Sequence, residues 1–208
     1  MIDTATLIAY VTIVLGFVFI PGPATLLTVT RATSSGTKAG IATGAGIAAG
    51  DVVHTFMAII GVSIIIAKSA FLFSIIKYAG AAYLVFLGIV AILDKTSLDL
   101  ARGSTPITAK KAFNQAIIAE VLNPKAALFF LAFLPQFVKP ENGSVMLQLT
   151  VLGTIFVLLG LFSTVIFAVG AGKLGSFLKK HPAVVKWQGK VVGGIYCALG
   201  ARLALQER

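Results

Sequence analysis

Charge is scarce in this chain. Of its 208 residues only 12% are charged, about half the share of an ordinary soluble domain. With 58% hydrophobic residues, that excludes a soluble globule. Acids are scarcer still: seven against 17 basic residues, for a net charge of +10. The one cysteine, Cys197, cannot form an internal disulfide, and its apolar surroundings suit plain helix packing. No cysteine and histidine cluster has metal-ligand spacing, and no cofactor is expected. The phosphate-loop pattern G-x-x-x-x-G-K-[ST] is missing, which excludes an ATP-driven motor in this chain. H-E-x-x-H and G-x-S-x-G are missing too, so no enzyme is expected. The start, "MIDTATLIAY", has no basic n-region and reads as a first spanning helix rather than a cleaved signal.

Long apolar runs are what the chain has instead. Six hydrophobic segments cover roughly 4–30, 40–67, 73–93, 112–138, 145–172 and 184–205. Several exceed the roughly 18 residues that mark a membrane-spanning helix. Lipid demands an internally satisfied backbone, and the runs are too long for barrel strands. The expectation is an all-α integral membrane protein with six transmembrane helices. It forms a single domain, residues 1–208, with one half at about 1–93, a loop at 94–111 and a second half at about 112–208.

The basic residues lie mostly between segments. Six spans put Arg31, Lys38, Lys95, Arg102, Lys110, Lys111, Lys173, Lys179, Lys180, Lys186 and Lys190 on one side, eleven in all. Lys68, Lys77, Lys139, Arg202 and Arg208 make five on the other. The eleven-residue side is then cytoplasmic and both termini are outside. Five spans with segment four re-entrant is the alternative, and it moves the C-terminus inside. So distributed, the positive charge points to anionic lipid and not to nucleic acid.

Segments one and four are each broken near the middle. "FIPGPATLLTV" in the first slides onto "LNPKAALFFLA" in the fourth by 102 residues. Pro21 then meets Asn123, Gly22 meets Pro124 and Pro23 meets Lys125, with Ala24 on Ala126 and Leu26 on Leu128. Proline removes an N–H and clashes one turn back, and Gly22 permits a sharp backbone change. Three spans per half is odd, so the halves insert with opposite orientation. The fold expected is two inverted three-helix repeats with broken first and fourth helices. Matched Gly/Pro interruptions in inverted repeats point to a secondary transporter's binding site. A half-helix starting after Pro23 presents its N–H groups and positive end to an anion such as a carboxylate. A plain structural kink is the competing reading.

The intramembrane charges are few. Asp51 lies eleven residues into segment two, where a carboxylate costs roughly 2.5–3.5 kcal/mol and so faces the bundle or a cavity. It is the candidate for binding a substrate ammonium or carrying a coupling proton, against a structural ion pair with Lys125. His54 and Thr55 share its face; His54 reads either as a hydrogen-bonded core residue or as a proton relay. Lys125 either holds a carboxylate or neutralises Asp51. Asn123 can cap the half-helix that follows it. Glu120 ranks below Asp51, paired with Lys110, Lys111 or Lys125 or facing water. Gln136 falls near the segment's end, where Pro135 is expected to stop the helix. Segment two also holds "GIATG" and "GIAAG", where Gly40, Gly44, Gly46 and Gly50 admit a close helix. Packing within one subunit and association into a homodimer are both open.

These motifs resemble a known family. "PGPATLLTVTRATSSGTKAGIATGAGIAAGDVVHTFMAIIG" is similar to the N-terminal signature of the LysE family of amino-acid exporters, which includes the RhtB-type homoserine and threonine exporters. "KYAGAAYLVFLG" and "VLNPKAALFFLAFLPQFV" resemble its third and fourth segments. The resemblance implies a bacterial inner-membrane exporter that moves amino acids or close derivatives outward against protons. It carries over to Pro21, Gly22 and Pro23, to Gly50 and Asp51, and to Asn123, Pro124 and Lys125. Many members have Asn where this chain has Ala24. The rivals are an exporter of inorganic cations, which calls for more acids, thiols or histidines in the spans, and a membrane scaffold or sensor.

Overall fold

The computed structural model describes residues 2–19, 23–68, 70–93, 105–173 and 182–205. Among them the chain is helical, with no strand. In order come α1 (Thr4–Phe19), α2 (Pro23–Ser35), α3 (Thr37–Lys68), α4 (Ala70–Leu93), α5 (Ala109–Val121), α6 (Pro124–Phe133), α7 (Val145–Val169) and α8 (Pro182–Leu205). Two 3₁₀ turns, Leu134–Phe137 and Pro140–Asn142, join α6 to α7. Pro135 thus ends the regular helix, as its missing N–H requires.

Among the described residues, two helical stretches are long and apolar enough to cross a membrane, Thr37–Gly61 and Val145–Val169, 25 residues each. At 1.5 Å per residue each outspans a hydrocarbon core about 30 Å thick. A third span arises if α1 and α2, whose axes differ by 43°, count as one. Many exposed side chains on these helices are large and apolar, among them Val52, Phe56 and Ile60 on α3, and Leu158, Phe162 and Ile166 on α7. In water such a surface aggregates; against acyl chains it is the ordinary solution.

The helices meet through small residues. On α3, Gly46 lies against the Phe113 carbonyl and Ala116 of α5, and Gly50 against Glu120. Two other glycines of α3 face elsewhere: Gly40 meets Ala32 and Ala168, and Gly44 meets Thr164 of α7. Further along the α3–α7 contact, Gly153 makes room for Thr55. The glycine stripe of α3 is thereby occupied by helices of the same chain, the intrachain alternative of the two that the pattern left open. A Cβ at any of these glycines would have to push backbone or a packed side chain aside. The second tight pair is α4 with α8, where Gly88, Gly193 and Gly200 permit near backbone contact and Cys197 packs against Gly88.

An aromatic core closes the other side of α3. Phe129, Phe130 and Phe133 of α6 gather Tyr10, Phe17 and Phe156. Phe17 stacks on Phe129 at 4.7 Å between centroids, and Phe130 meets Phe156 edge-on at 4.9 Å. Tyr10 is fully buried and donates its hydroxyl to the Leu152 carbonyl at 2.8 Å, so its polar tip is satisfied.

The two ends of the bundle are tied separately. At one, Arg31 donates to Gln115 at 3.2 Å, and Ile107 N–H donates to Ser35 Oγ at 3.1 Å. At the other, Lys139 pairs with Asp3 at 2.9 Å, beside the 3₁₀ turns. Asp3 also caps α1 by accepting from the Thr6 N–H at 2.8 Å. That bond first, and Lys139 second, hold its carboxyl below the ordinary carboxylate range. Gln148 pins the neighbouring loop, donating to the Lys139 carbonyl at 2.9 Å and accepting from the Lys139 N–H at 3.1 Å.

Candidate functional site

The helix break at Asn123 positions the site. Val121 ends α5, and α6 restarts at Pro124. In an unbroken helix the N–H of residue 124 would bond the carbonyl of residue 120. Proline has no N–H to give. The Glu120 carbonyl instead accepts from the Asn123 N–H at 3.0 Å and from His54 Nε2 at 2.7 Å. A carbonyl only accepts, so Nε2 carries the proton of the imidazole. His54 Nδ1 is buried and has no hydrogen-bond partner among the described residues. The ring stacks loosely on Phe130, 5.8 Å between centroids and tilted by 28°, and only 1% of the residue is exposed. His54 is thus hydrogen-bonded in the core, with one nitrogen left over.

Asp51 sits one turn before His54 on α3 and is 6% exposed. Gly160 of α7 faces it: a Cβ there would lie 3.9 Å from Asp51 Oδ2. Among the described residues no donor and no cation reaches the Asp51 carboxylate; their ion pair is Lys139 with Asp3, at the bundle end. Thr55 does not serve it either, because its hydroxyl donates to the Asp51 main-chain carbonyl at 2.8 Å.

Glu120 comes to the same place. Its Cβ and Cγ would lie 2.5 and 2.8 Å from a Cβ on Gly50, the residue before Asp51. Glu120 thus packs on the residue next to Asp51. Asn123 Nδ2 donates to Glu120 Oε1 at 3.4 Å, so the amide serves the acid one turn back, while its own carbonyl accepts from Ala127 N–H at 3.1 Å and starts α6. The structure therefore brings together Asp51, His54, Glu120 and Asn123. Ranking Glu120 below Asp51 missed this juxtaposition. The signal available was Gly50, a residue with no side chain next to the mid-helix acid.

Pro21 and Gly22 lie outside the described residues. Pro23 opens α2 and Pro124 opens α6, each a first helical position where the absent N–H costs nothing. Lys125 is in α6, but its side chain, and with it the expected pairing with Asp51 or a carboxylate, lies outside the described residues. Buried hydroxyls line the rest of the interior: Thr25 and Thr28 on α2, Ser163 and Thr164 on α7. The Thr28 hydroxyl has no partner among the described residues. Among the described residues no group of three or more His, Cys, Asp or Glu side chains could hold a metal ion.

Buried acids beside a broken helix in an apolar bundle suit a translocator. The family model for LysE type translocators matches residues 15–207. The chain belongs to the LysE family. Among its relatives is the "Uncharacterized membrane protein YrhP" of Bacillus subtilis, 34% identical over 96% of this chain and 99% of that one. The "Homoserine/homoserine lactone efflux protein" of Salmonella typhimurium is 28% identical over 88% of each chain. An "Uncharacterized membrane protein" of Vibrio cholerae is 28% identical over 97% of this chain and 98% of its own. No solved structure matches. A LysE translocator that exports amino-acid-like compounds across a membrane is what family and relatives support.

Proposed function

We propose that this LysE protein is a secondary active exporter of amino acids or close derivatives across the bacterial inner membrane, by proton antiport. The observation that carries the reading is the Asp51 carboxylate, buried on α3 beside Glu120 and the α5–α6 break, without a donor or cation among the described residues. An acid so placed is costly unless a ligand or proton completes it. A zwitterionic substrate meets that need. Its ammonium binds Asp51, with Glu120 beside it, and its carboxylate turns toward the N-terminus of α2 after Pro23, with Lys125 near. A proton reaching Asp51 from outside displaces the ammonium, and the bundle resets.

The proposed architecture is six spans in two inverted halves. Its support is the 102-residue offset. Shifted by that amount, the end of α1 falls on the end of α5, Phe19 on Val121, and the start of α2 falls one residue from that of α6. The second helices, α3 and α7, pack against each other, and so do the third, α4 and α8. The chain start sits with the α6–α7 loop, and the α2–α3 turn sits with the start of α5, as the six-span order requires.

The test is efflux from cells loaded with a panel of dipeptides, which hydrolyse inside to amino acids. Wild type is compared with Asp51→Asn and Lys125→Ala, each checked for membrane expression. One amino acid leaving faster through wild type, with both variants losing the effect, is expected. A well-expressed protein that speeds no amino acid ends the amino-acid reading. An Asp51→Asn variant whose export still follows the proton gradient ends the coupling role of Asp51.

A further inference from the structure

Two main-chain carbonyls, near the ends of α1 and α5, accept from buried side chains, and the two carbonyls, though not the two donors, correspond under the 102-residue offset. Glu120 O, at the α5–α6 break, accepts from His54 of α3. Val18 O, at the end of α1, accepts from the Ser163 hydroxyl of α7. Under the 102-residue offset Val18 falls on Glu120. Each cap therefore comes from the second helix of the opposite half, and each is buried: His54 and Ser163 are both 1% exposed. A carbonyl at a helix end in a bilayer must be satisfied within the protein, since no water is there to supply a partner.

The caps also straddle one level of the bundle. Helices α3 and α7 run antiparallel: Thr55 meets Gly153, Asp51 lies opposite Gly160, and Gly44 meets Thr164. His54 is three residues past Asp51 and Ser163 three past Gly160. That is about 4.5 Å along each axis, in opposite directions because the helices are antiparallel. A rocking motion about the Asp51–Gly160 contact would stretch one cap while keeping the other.

We propose that Ser163 and His54 are positioning residues that act as a reciprocal pair of latches, each holding the helix break of the opposite half, one released for each direction in which the site opens. This rests on the inverted-repeat reading of the exporter. Inversion exchanges the inward-open and outward-open forms as it exchanges the halves. Loss of one latch and loss of the other must then bias the two forms in opposite senses. A residue that merely stabilises the fold has no reason to do so.

The experiment places a reporter cysteine at Gly160, facing Asp51, in a Cys197→Ser background. Its reactivity toward a membrane-impermeant thiol reagent is measured from each side in oriented vesicles. Ser163→Ala and His54→Leu remove the donors; Ser163→Thr and His54→Gln keep them. One donor-free variant should raise the inside-to-outside reactivity ratio and the other lower it, each by roughly fivefold, the weight of one net hydrogen bond. The donor-retaining variants should return to the reporter's own ratio. Shifts in the same direction, or none in either, overturn the proposal. Should a donor-free variant fail to fold, Ser163→Gly, which also lacks the donor, and His54→Asn, whose donor is shorter, carry the same comparison: opposite shifts are expected, and parallel or absent shifts are again fatal. No substrate is needed. Failure here leaves amino-acid export standing, and failure of the dipeptide panel leaves the latches standing.

Discussion

Gly46→Ala tests the α3–α5 contact on which the site depends. An added Cβ would overlap the Phe113 carbonyl oxygen and lie 2.8 Å from Ala116 Cβ and 3.2 Å from Ile117 N. Carbon atoms prefer about 3.5–4.0 Å, so the helices must part by about 1 Å. Two of the three obstacles are backbone and cannot rotate away. Overpacking of this kind costs about 1–3 kcal/mol. Replacing a helical glycine by alanine returns ~0.8–1.0 kcal/mol. The net is roughly 0–2 kcal/mol of destabilisation, centred on ~1, or a few degrees of melting temperature for a chain of this size. Gly194→Ala is the control, because a Cβ there meets nothing within 4 Å. It keeps the helix gain alone and should melt slightly higher. The assay is thermal unfolding of both variants in one detergent. Melting of Gly46→Ala at or above wild type would refute the packing argument. One turn on, Gly50 touches Glu120, so Gly46→Ala should also slow export, by displacing Glu120 from Asp51.

Glu120→Gln keeps the shape and removes the charge beside Asp51; it should lower efflux of the substrate at least roughly tenfold, about 1.4 kcal/mol, and unchanged efflux at equal expression would take Glu120 out of the site. Tyr10→Phe keeps the ring packing on Phe133 and Phe137 but loses the bond to the Leu152 carbonyl; a loss of about 0.5–1.5 kcal/mol should lower the melting temperature measurably, and an identical melt would mean the hydroxyl contributes nothing. The folded Asp3 carboxyl lies below its unfolded value, so its contribution is complete above the ordinary carboxylate range near about pH 4 and fades only as pH falls through the depressed folded value. Wild type and Asp3→Asn should therefore keep a constant stability difference from neutral pH down to about pH 5; a difference that vanishes within that window, in melts at stepped pH, contradicts the capped and paired geometry.

What local chemistry governs was legible in the chain itself. Six apolar runs became helical stretches, because the backbone in lipid has few alternatives. The expected segments at 145–172 and 184–205 correspond to Val145–Val169 and Pro182–Leu205. The NPK break was legible for the same reason: Pro124 cannot donate, wherever the helix packs. Asp51 stood out because a lone mid-membrane acid demands a partner. What the chain alone left open were pairings between residues far apart in it, which depend on which helix faces meet. Spacing along α3 cannot say that Gly50 turns toward Glu120, or that His54 reaches the Glu120 carbonyl 66 residues away. Nor does Ser163, one hydroxyl in an apolar run, announce that it caps Val18 across 145 residues. The glycine stripe suited a neighbouring helix or a second subunit equally, and only the packed bundle assigned it to helices of this chain. Proline chemistry and the lipid requirement act within one or two turns and so can be read in order along the sequence. Contacts between helices are set by the joint fit of several surfaces, and tertiary structure alone supplies that.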